Sequence, residues 1–357
     1  MRLSHLKIAV VTFSLLVGSA VLYSLSSFST VIFTDDETEQ GFWRRDHLQL
    51  PSARFGDPPA QVERFIIILI TSAPWHTNQR QAIRQTWLSF LVNNSVALGR
   101  SNLRAMKDPT NTSNTLVINY WFVCGHDKEN KVELSLENEA QVYGDILRLN
   151  YTEKYSLLLY KTLNSLRFAS TMDVKFIIKV DDDVYLHVPR LVWWLKTASL
   201  PGKLYAGQVF NHGKVIRKKP NKWHVSEHDY SETYFPPYCN GPFYILSKNV
   251  AVELLKASSG DRLSSFPIED VYIGILAKRI GIIPIGLMRK GVFIIAKFSE
   301  IVEKSWTDYK LNKFFALGHG LSLQRLFAIH ERFLKLPFIS IPSYLKMAHL
   351  DHEKKLG

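Results

Sequence analysis

The sequence predicts an α/β fold, a mixed sheet flanked by helices. Two short apolar runs rich in β-branched residues, 65–70 and 176–180, read as buried strands. Between them lies a stretch of helical periodicity in which Tyr155, Leu158, Leu159, Thr162, Leu163, Leu166 and Ala169 share one face. Strands that alternate with helices imply a largely parallel sheet covered on both faces. At 357 residues, 46% hydrophobic and 12% aromatic, the chain is long enough for one large domain or two ordinary ones with a sizeable core.

The elements follow in chain order. Residues 8–33 carry no charged side chain, and about 20 apolar residues span a bilayer. Arg2 and Lys7 precede this run; Asp35, Asp36, Glu37 and Glu39 follow it. Positive charge marks the cytosolic side, so the run reads as a transmembrane signal anchor with residues 1–7 as a cytoplasmic tail. A cleaved signal peptide is the alternative, with a shorter apolar core of about 7–15 residues. Residues 34–62 are polar, contain Pro51, Pro58 and Pro59, and read as a stem.

The expected globular domain covers residues 63–310. Its first strand at 65–70 passes through a turn at 71–77 into a helix with Ile83, Trp87, Phe90 and Leu91 on one face. Residues 93–115 are polar and read as a loop, and residues 117–123 as a second strand. Residues 131–143, rich in Glu, and residues 155–170 read as helices. The strand at 176–180 then ends in Asp181, Asp182 and Asp183. A strand at 204–209, a Gly/Pro/aromatic loop at 234–243 and a strand at 244–246 come next. A helix over 269–280 carries Lys278 and Arg279 in its last turn and stops at Gly281. The extension 311–357 contains an amphipathic stretch at 321–336, expected to pack on the domain rather than lie on a membrane.

The formal charge of +12 suits an anionic ligand, a membrane surface or nucleic acid. No long Lys/Arg block supports nucleic acid; the nearest, Arg217, Lys218 and Lys219 with Lys222, reads as a solvated loop. Cys124 and Cys239 would be able to pair in an oxidising compartment. Cys124 continues an apolar run, however, so buried free thiols are the expectation. Asn93, Asn111 and Asn150 head N-glycosylation sequons.

Three constellations carry chemistry. Asp181, Asp182 and Asp183 repel one another unless a cation or water compensates them. At the carboxyl end of a buried strand they stand where ligands bind an α/β sheet, and they are able to hold Mg²⁺ or Mn²⁺ and, through it, a diphosphate. The plain alternative is a solvated acidic turn. Arg80 and Arg84, one helical turn apart, suit a nucleotide or its phosphates, or else form a solvated face. Glu269 and Asp270 open a helix, where its dipole favours carboxylates; either would serve as a general base beside a hydroxyl. The Asp-x-Asp pattern also fits a phosphatase with an aspartate nucleophile, which would need a lysine beside the second acidic pair. Lys278 trails that pair, at no convincing spacing.

Five separated segments give these residues a family likeness: residues 80–87 (Arg80, Arg84, Trp87), 143–147 (Tyr143, Asp145), 176–184 (Lys179, Asp181, Asp183), 234–241 (Tyr234, Tyr238, Gly241) and 269–274 (Glu269, Asp270, Gly274). In that order the chain resembles the β-1,3-galactosyltransferase and β-1,3-N-acetylglucosaminyltransferase family. The resemblance implies a GT-A-like (Rossmann-like) mixed sheet, single-pass type II topology in the Golgi membrane, a UDP-sugar donor and a glycan acceptor on glycoprotein or glycolipid. It implies Mn²⁺ (or Mg²⁺) at Asp183 and Asp181, with Asp182, Lys179, Arg80 and Arg84 toward the donor. Asp270, with Glu269 as alternative, is implied as the base of an inverting displacement. Galactose is the first expectation for the sugar and N-acetylglucosamine the second. A catalytically silent, sugar-binding relative is the non-enzymatic alternative. Trp223, Tyr238 and Gly241 are candidates for the acceptor platform.

Two departures from the family pattern stand out. Residues 157–161 keep Lys161 but replace the family's polar helix residues with leucines. The histidine that the family places soon after the acidic helix is missing. Lys297 would be able to compensate charge there, while His319 and His330 lie too far along to assign.

Overall fold

The computed structural model describes residues 32–33, 62–91, 103–259, 266–288, 293–294 and 306–336. A nine-stranded sheet forms its centre. Across the sheet run β1 (Ile32–Phe33), β5 (Ile146–Thr152), β4 (Asn111–His126), β2 (Val62–Thr71), β6 (Phe176–Asp181), β9 (Tyr238–Ser247), β8 (Tyr205–Phe210) and β10 (Ile285–Gly286). β3 (Leu103–Asp108) folds back on β4 as an antiparallel neighbour. The pairs from β1 to β6 are parallel, while β6–β9 and β9–β8 are antiparallel. This is the mixed sheet that the sequence implies.

β2 and β6 are apolar without alternation because both of their faces are covered. Ile66, Ile68 and Ile70 face one core with α1 (Thr77–Gln85), α2 (Asn130–Tyr143), α4 (Val188–Thr197) and α8 (Leu323–Lys335). Ile67 and Leu69 face a second core with α3 (Leu158–Ser170), α5 (Lys248–Ala257) and α6 (Glu269–Arg279). Leu159, one of the leucines in the departure from the family pattern, is buried in this second core. A smaller sheet joins β7 (Tyr185–Leu186), β12 (Ala316–Leu317) and β11 (Phe293–Ile294), and the short α7 (Asp308–Leu311) precedes β12.

Three expectations about elements change. Residues 103–108 and 111–116, expected as loop, are strands, since the hairpin lets Ala105, Met106 and Leu116 bury. β9 begins at Tyr238 rather than 244, because Tyr238 and Cys239 pair with Phe210 and Val209. The boundary at 310/311 is not a structural boundary. Leu311, Phe314, Phe315, Ala316 and Leu317 belong to the first core, and β12 pairs with β7. The amphipathic stretch packs as expected: Leu326, Ile329 and Phe333 of α8 are buried.

Cys124 and Cys239 are both buried and free. Of the expected 8–33 span, only Ile32 and Phe33 are described, as the strand paired with β5. Among the described residues no helix is long and apolar enough to cross a membrane. Asn93 and Lys297 lie outside the described residues. Asn111 is exposed at the start of β4, and Asn150 is half-buried in β5.

The sheet order places the site. From β2 the chain proceeds outward through β4 to β5, then returns to the other side of β2 as β6. The carboxyl ends of β2 and β6 therefore diverge into separate loops, the crevice in which α/β sheets bind ligands. Thr71 and Asp181 are register partners at that point.

Candidate active site

Each member of the aspartate triplet has a different partner. Asp181 ends β6 and accepts a 2.5 Å hydrogen bond from Lys179 Nζ. Asp182 turns to the β2 side, where its Oδ2 lies 2.8 Å from His76 Nδ1. Its backbone N–H donates to Thr71 O at 3.2 Å, tying the two strand ends together. Asp183 turns to the C-terminal segment. Its Oδ1 lies 3.2 Å from His319 Nδ1. Its Oδ2 accepts from Gly320 N at 2.9 Å, and its carbonyl accepts from Leu321 N at 3.1 Å. Gly318 and Gly320 flank His319 with φ of 79° and 76°, a left-handed conformation that favours glycine. That double turn presents the imidazole to the aspartate.

Asp181, Asp183 and His319 each offer a ligand atom, and these atoms lie within 4.8 Å of one another. The three side chains keep 23%, 29% and 44% exposure, so an ion is able to reach them. Two carboxylates and one imidazole suit a divalent cation such as Mn²⁺, with further oxygens from water or phosphate. The donor chemistry therefore fits the implied metal. Burial raises the Asp181 pKa above its ordinary value despite Lys179. Asp183 moves the other way: burial opposes ionisation, but the His319 and Gly320 bonds outweigh it. The bond to Asp183 raises His319 against the effect of its burial.

The second acidic pair opens α6. Glu269 is buried and accepts a 2.8 Å bond from Tyr244 OH. Burial pushes its carboxyl up to about 7 against the pull of Lys179, with Asp270 adding to the rise. Asp270 is less enclosed; its Oδ2 accepts from Gly241 N at 2.9 Å. Burial raises Asp270 as well, countered by the N–H groups of Gly241 and Val271. α6 sits very close to β9, for a Cβ added at Gly274 would come within 2.4 Å of Tyr238 Cβ. Gly241 keeps the space before both carboxylates clear: a Cβ there would stand 3.4 Å from Glu269 and 3.5 Å from Asp270.

Lys179 links the two acidic groups. Its ammonium also donates to Gly241 O at 2.5 Å, so one buried cation sits between Asp181 and the residue of β9 that holds Asp270. Burial alone would lower its pKa, but Asp181 and Glu269 raise it, and it stays charged. Lys179 is 2% exposed, so it binds the framework rather than a donor.

The arginines also differ from the expectation. Arg80 is fully buried, forks onto Glu139 at 2.9 and 2.7 Å, and donates to Ser72, Ala73 O, Pro74 O and Thr77. Arg84 bridges Glu139 and Asp145, with its guanidinium 3.9 Å above the Tyr143 ring. Both face inward because two buried acids on neighbouring elements need compensation. Arg80 braces the β2–α1 loop and Arg84 ties α1 to Glu139 and Asp145, instead of presenting a phosphate site. Lys161 completes the bracing from α3, donating to Ser72 O at 2.7 Å and to Glu153 at 2.9 Å.

Sequence reasoning missed His319 and His76 as partners of the aspartates, and Glu139 as partner of the arginines. Gly318, His319 and Gly320 form a small local pattern that would have flagged the first. His330 lies elsewhere, between Tyr185 OH at 2.9 Å and Ser89 Oγ at 3.1 Å. Lys278, the lysine a phosphatase would require beside Glu269 and Asp270, pairs instead with Glu232 at the surface.

The comparisons with known proteins bear on this geometry. Residues 78–288 match the family model described as galactosyltransferase. The chain belongs to the galactosyltransferase family. Within it, the chain is 30% identical over 224 residues to mouse beta-1,3-galactosyltransferase 1, covering 62% of each protein. It is 30% identical over 211 residues to the Arabidopsis thaliana beta-1,3-galactosyltransferase GALT1, covering 59% of this chain and 30% of that protein. It is 32% identical over 219 residues to the hydroxyproline O-galactosyltransferase GALT6 of the same plant, covering 61% and 28%. The matched part thus spans less than two thirds of these relatives. Among solved structures, a glycosyltransferase involved in glycosylation of the major capsid of PBCV-1 aligns with 75% of this chain and 99% of its own, at 12% identity and a TM-score of 0.34.

Proposed function

We propose that this glycosyltransferase moves galactose from UDP-galactose to a glycan hydroxyl in β-1,3 linkage, with inversion. The observation that carries the reading is the pairing of two acidic groups across Lys179 and Gly241: a cation set at Asp181, Asp183 and His319, and a base set at Asp270 and Glu269. When bound, a divalent ion such as Mn²⁺ supplies Lewis-acid compensation for the charge that develops on the leaving diphosphate.

The chain's own residues do the rest. Asp183 is kept ionised by His319 and Gly320 and is the firmest anionic ligand. Asp182, tied to Thr71 and His76, fixes the crevice edge on the donor side. Asp270 takes the acceptor proton. Its second oxygen is fixed by the N–H of Val271 at 2.9 Å, which orients the carboxylate. Glu269, pushed up to about 7 by burial, stands behind it and accepts the Tyr244 hydroxyl's hydrogen bond. Deprotonation on the side away from the diphosphate lets the hydroxyl attack the anomeric carbon in line, turning an α-linked donor into a β-linked product. Tyr238 and Gly241 border that side, and Trp223 lies in the adjoining loop.

The proposal includes a Golgi-membrane location with a luminal domain. The uncharged run within residues 8–33 and its flanking charges support this. The donor preference rests on the names of the relatives. The deciding experiment is a donor screen: protein with Mn²⁺ and each UDP-sugar, on a broad acceptor panel, against an Asp183→Ala control. UDP release with UDP-galactose and a β-1,3 product by NMR is the expected outcome. Release only with UDP-N-acetylglucosamine moves the reading to the alternative donor, and no release above control overturns it.

A further inference from the structure

Among the described residues, the segment between β8 and β9 contains a strongly basic stretch beside the site. Residues 206–226 contain no Asp or Glu but include Lys214, Arg217, Lys218, Lys219 and Lys222. The sequence alone suggests a solvated loop. The structure shows a built one. Arg217 donates to four carbonyls, those of Val225, Ser226, Tyr230 and Glu232, at 2.6 to 2.9 Å. Backbone bonds from Val215 to Thr233, Val225 to Ile216 and Phe235 to Gly213 close the segment on itself. One guanidinium thus consolidates the loop, and the four lysines project from it into solvent.

Of the three acids of the same loop, Glu227 is exposed and the other two are engaged elsewhere, which leaves the segment an excess of two positive charges. Asp229 accepts from Ser226 Oγ inside the loop, and Glu232 pairs with Lys278 of α6. The excess positive charge is therefore a property of the surface.

Aromatic faces accompany that charge. Trp223 is 44% exposed, Tyr234 50% and Phe210 41%. The Lys222 ammonium sits 4.5 Å above the Trp223 ring and 5.8 Å from the ring of Tyr155, which precedes α3. The loop also touches the base-bearing end of the site. Gly213 lies over the Tyr238 ring, a Cβ there being 3.6 Å from Tyr238 Cε1, and Tyr238 packs on Gly274 of α6. A sugar stacks on exposed aromatic rings, while ammonium groups beside them pair with anionic substituents and draw them in from solution.

We propose that this loop selects an acidic oligosaccharide, one bearing a carboxylate or sulfate group next to the accepting sugar. The inference rests on the transferase reading only for its consequence, transfer; binding itself is independent of it. Charge complementarity calls for an anion, and the exposed rings of Trp223, Tyr234 and Phe210 favour a saccharide over a lipid headgroup. Phe210 packs 5.8 Å from the ring of Tyr238, which itself packs on the base-bearing helix, the side on which an acceptor sugar must lie.

The test compares a hexuronate-containing oligosaccharide with the same compound after reduction of its carboxyl to a hydroxymethyl group. A sulfated oligosaccharide forms a separate arm that distinguishes the two sources of the anion. Binding is measured by calorimetry at low and high salt, with the wild-type protein and a Lys214→Gln, Lys218→Gln, Lys219→Gln, Lys222→Gln variant. Expected is at least tenfold tighter binding of the uronate or sulfated compound than of the neutral one. That advantage shrinks at high salt and disappears in the variant, while release of UDP without acceptor is unchanged. Equal binding of acidic and neutral compounds overturns the inference, as does an advantage that survives in the variant. Lysine-dependent binding to phosphatidylserine vesicles with no preference among the saccharides overturns it too. Absence of UDP release from wild type with every donor sinks the transferase reading, while the binding result still judges this one.

Discussion

Asp183 and His319 stand 136 positions apart in the chain and 3.2 Å apart in space. The pairing gives the cation set its nitrogen ligand and holds the aspartate ionised. His319→Ala should raise the Mn²⁺ concentration for half-maximal UDP release by at least about tenfold, as losses around metal sites usually do. Manganese titration of UDP release, backed by paramagnetic resonance of free Mn²⁺, measures it. An unchanged titration would show that the imidazole is no ligand.

Asp270 is the base in the proposed displacement. Asp270→Asn keeps a carbonyl oxygen for the Gly241 N–H but cannot take a proton. The transfer rate should fall by about 10²–10⁴, the usual contribution of a general base. Donor affinity, read by UDP-sugar titration, should hardly move. Loss of both together would assign Asp270 to the donor instead.

Glu269 makes stability depend on pH. Its folded carboxyl titrates near 7 and its ordinary value is 4.5. Between those values the folded chain retains a proton that the unfolded chain has released. Its contribution to stability is therefore fully present below about 4.5 and is lost as pH rises through about 7, by at most about 3 kcal/mol. Glu269→Gln, which still accepts from Tyr244, should flatten this decline. Urea unfolding midpoints at pH 5 and pH 8 for the two proteins give the comparison, and identical slopes would refute the assignment.

Arg80 is framework, and its removal should show as instability. Arg80→Ala leaves Glu139 buried with part of its compensation gone, which typically costs about 3–5 kcal/mol. Arg80→Lys cannot fork onto both Glu139 oxygens and should recover little of it. Thermal unfolding reads this directly. A stable Arg80→Ala protein with a weakened donor KM would restore the nucleotide-contact reading.

Much of the fold was legible because its signals are local. The runs at 65–70 and 176–180 are apolar on both faces, and helix α6 announces itself by its acids at one end and Gly281 at the other, where φ is 70°. Strand β3 was not legible. Its residues alternate weakly, and only the hairpin with β4 decides their conformation. In the site, Asp181, Asp183, Glu269 and Asp270 were readable as acids at element ends. The inward turn of Arg80 and Arg84 was not, since it depends on Glu139 and Asp145 arriving from other elements. His319 escaped for a related reason: its flanking glycines are a local signal, but the pairing of β12 with β7 is what returns that distant segment to the aspartates.

That pairing has a consequence for how the protein is made. Synthesis runs from the amino end, so Asp181 and Asp183 emerge long before His319. A nascent or truncated chain that stops short of β12 contains the residues of the crevice, the bracing arginines and the base-bearing helix, yet lacks His319 and the core residues from Ala316 onward. The candidate site is complete only once β12 and His319 have been made, and a fragment ending before that strand carries the residues that match the family model without the imidazole.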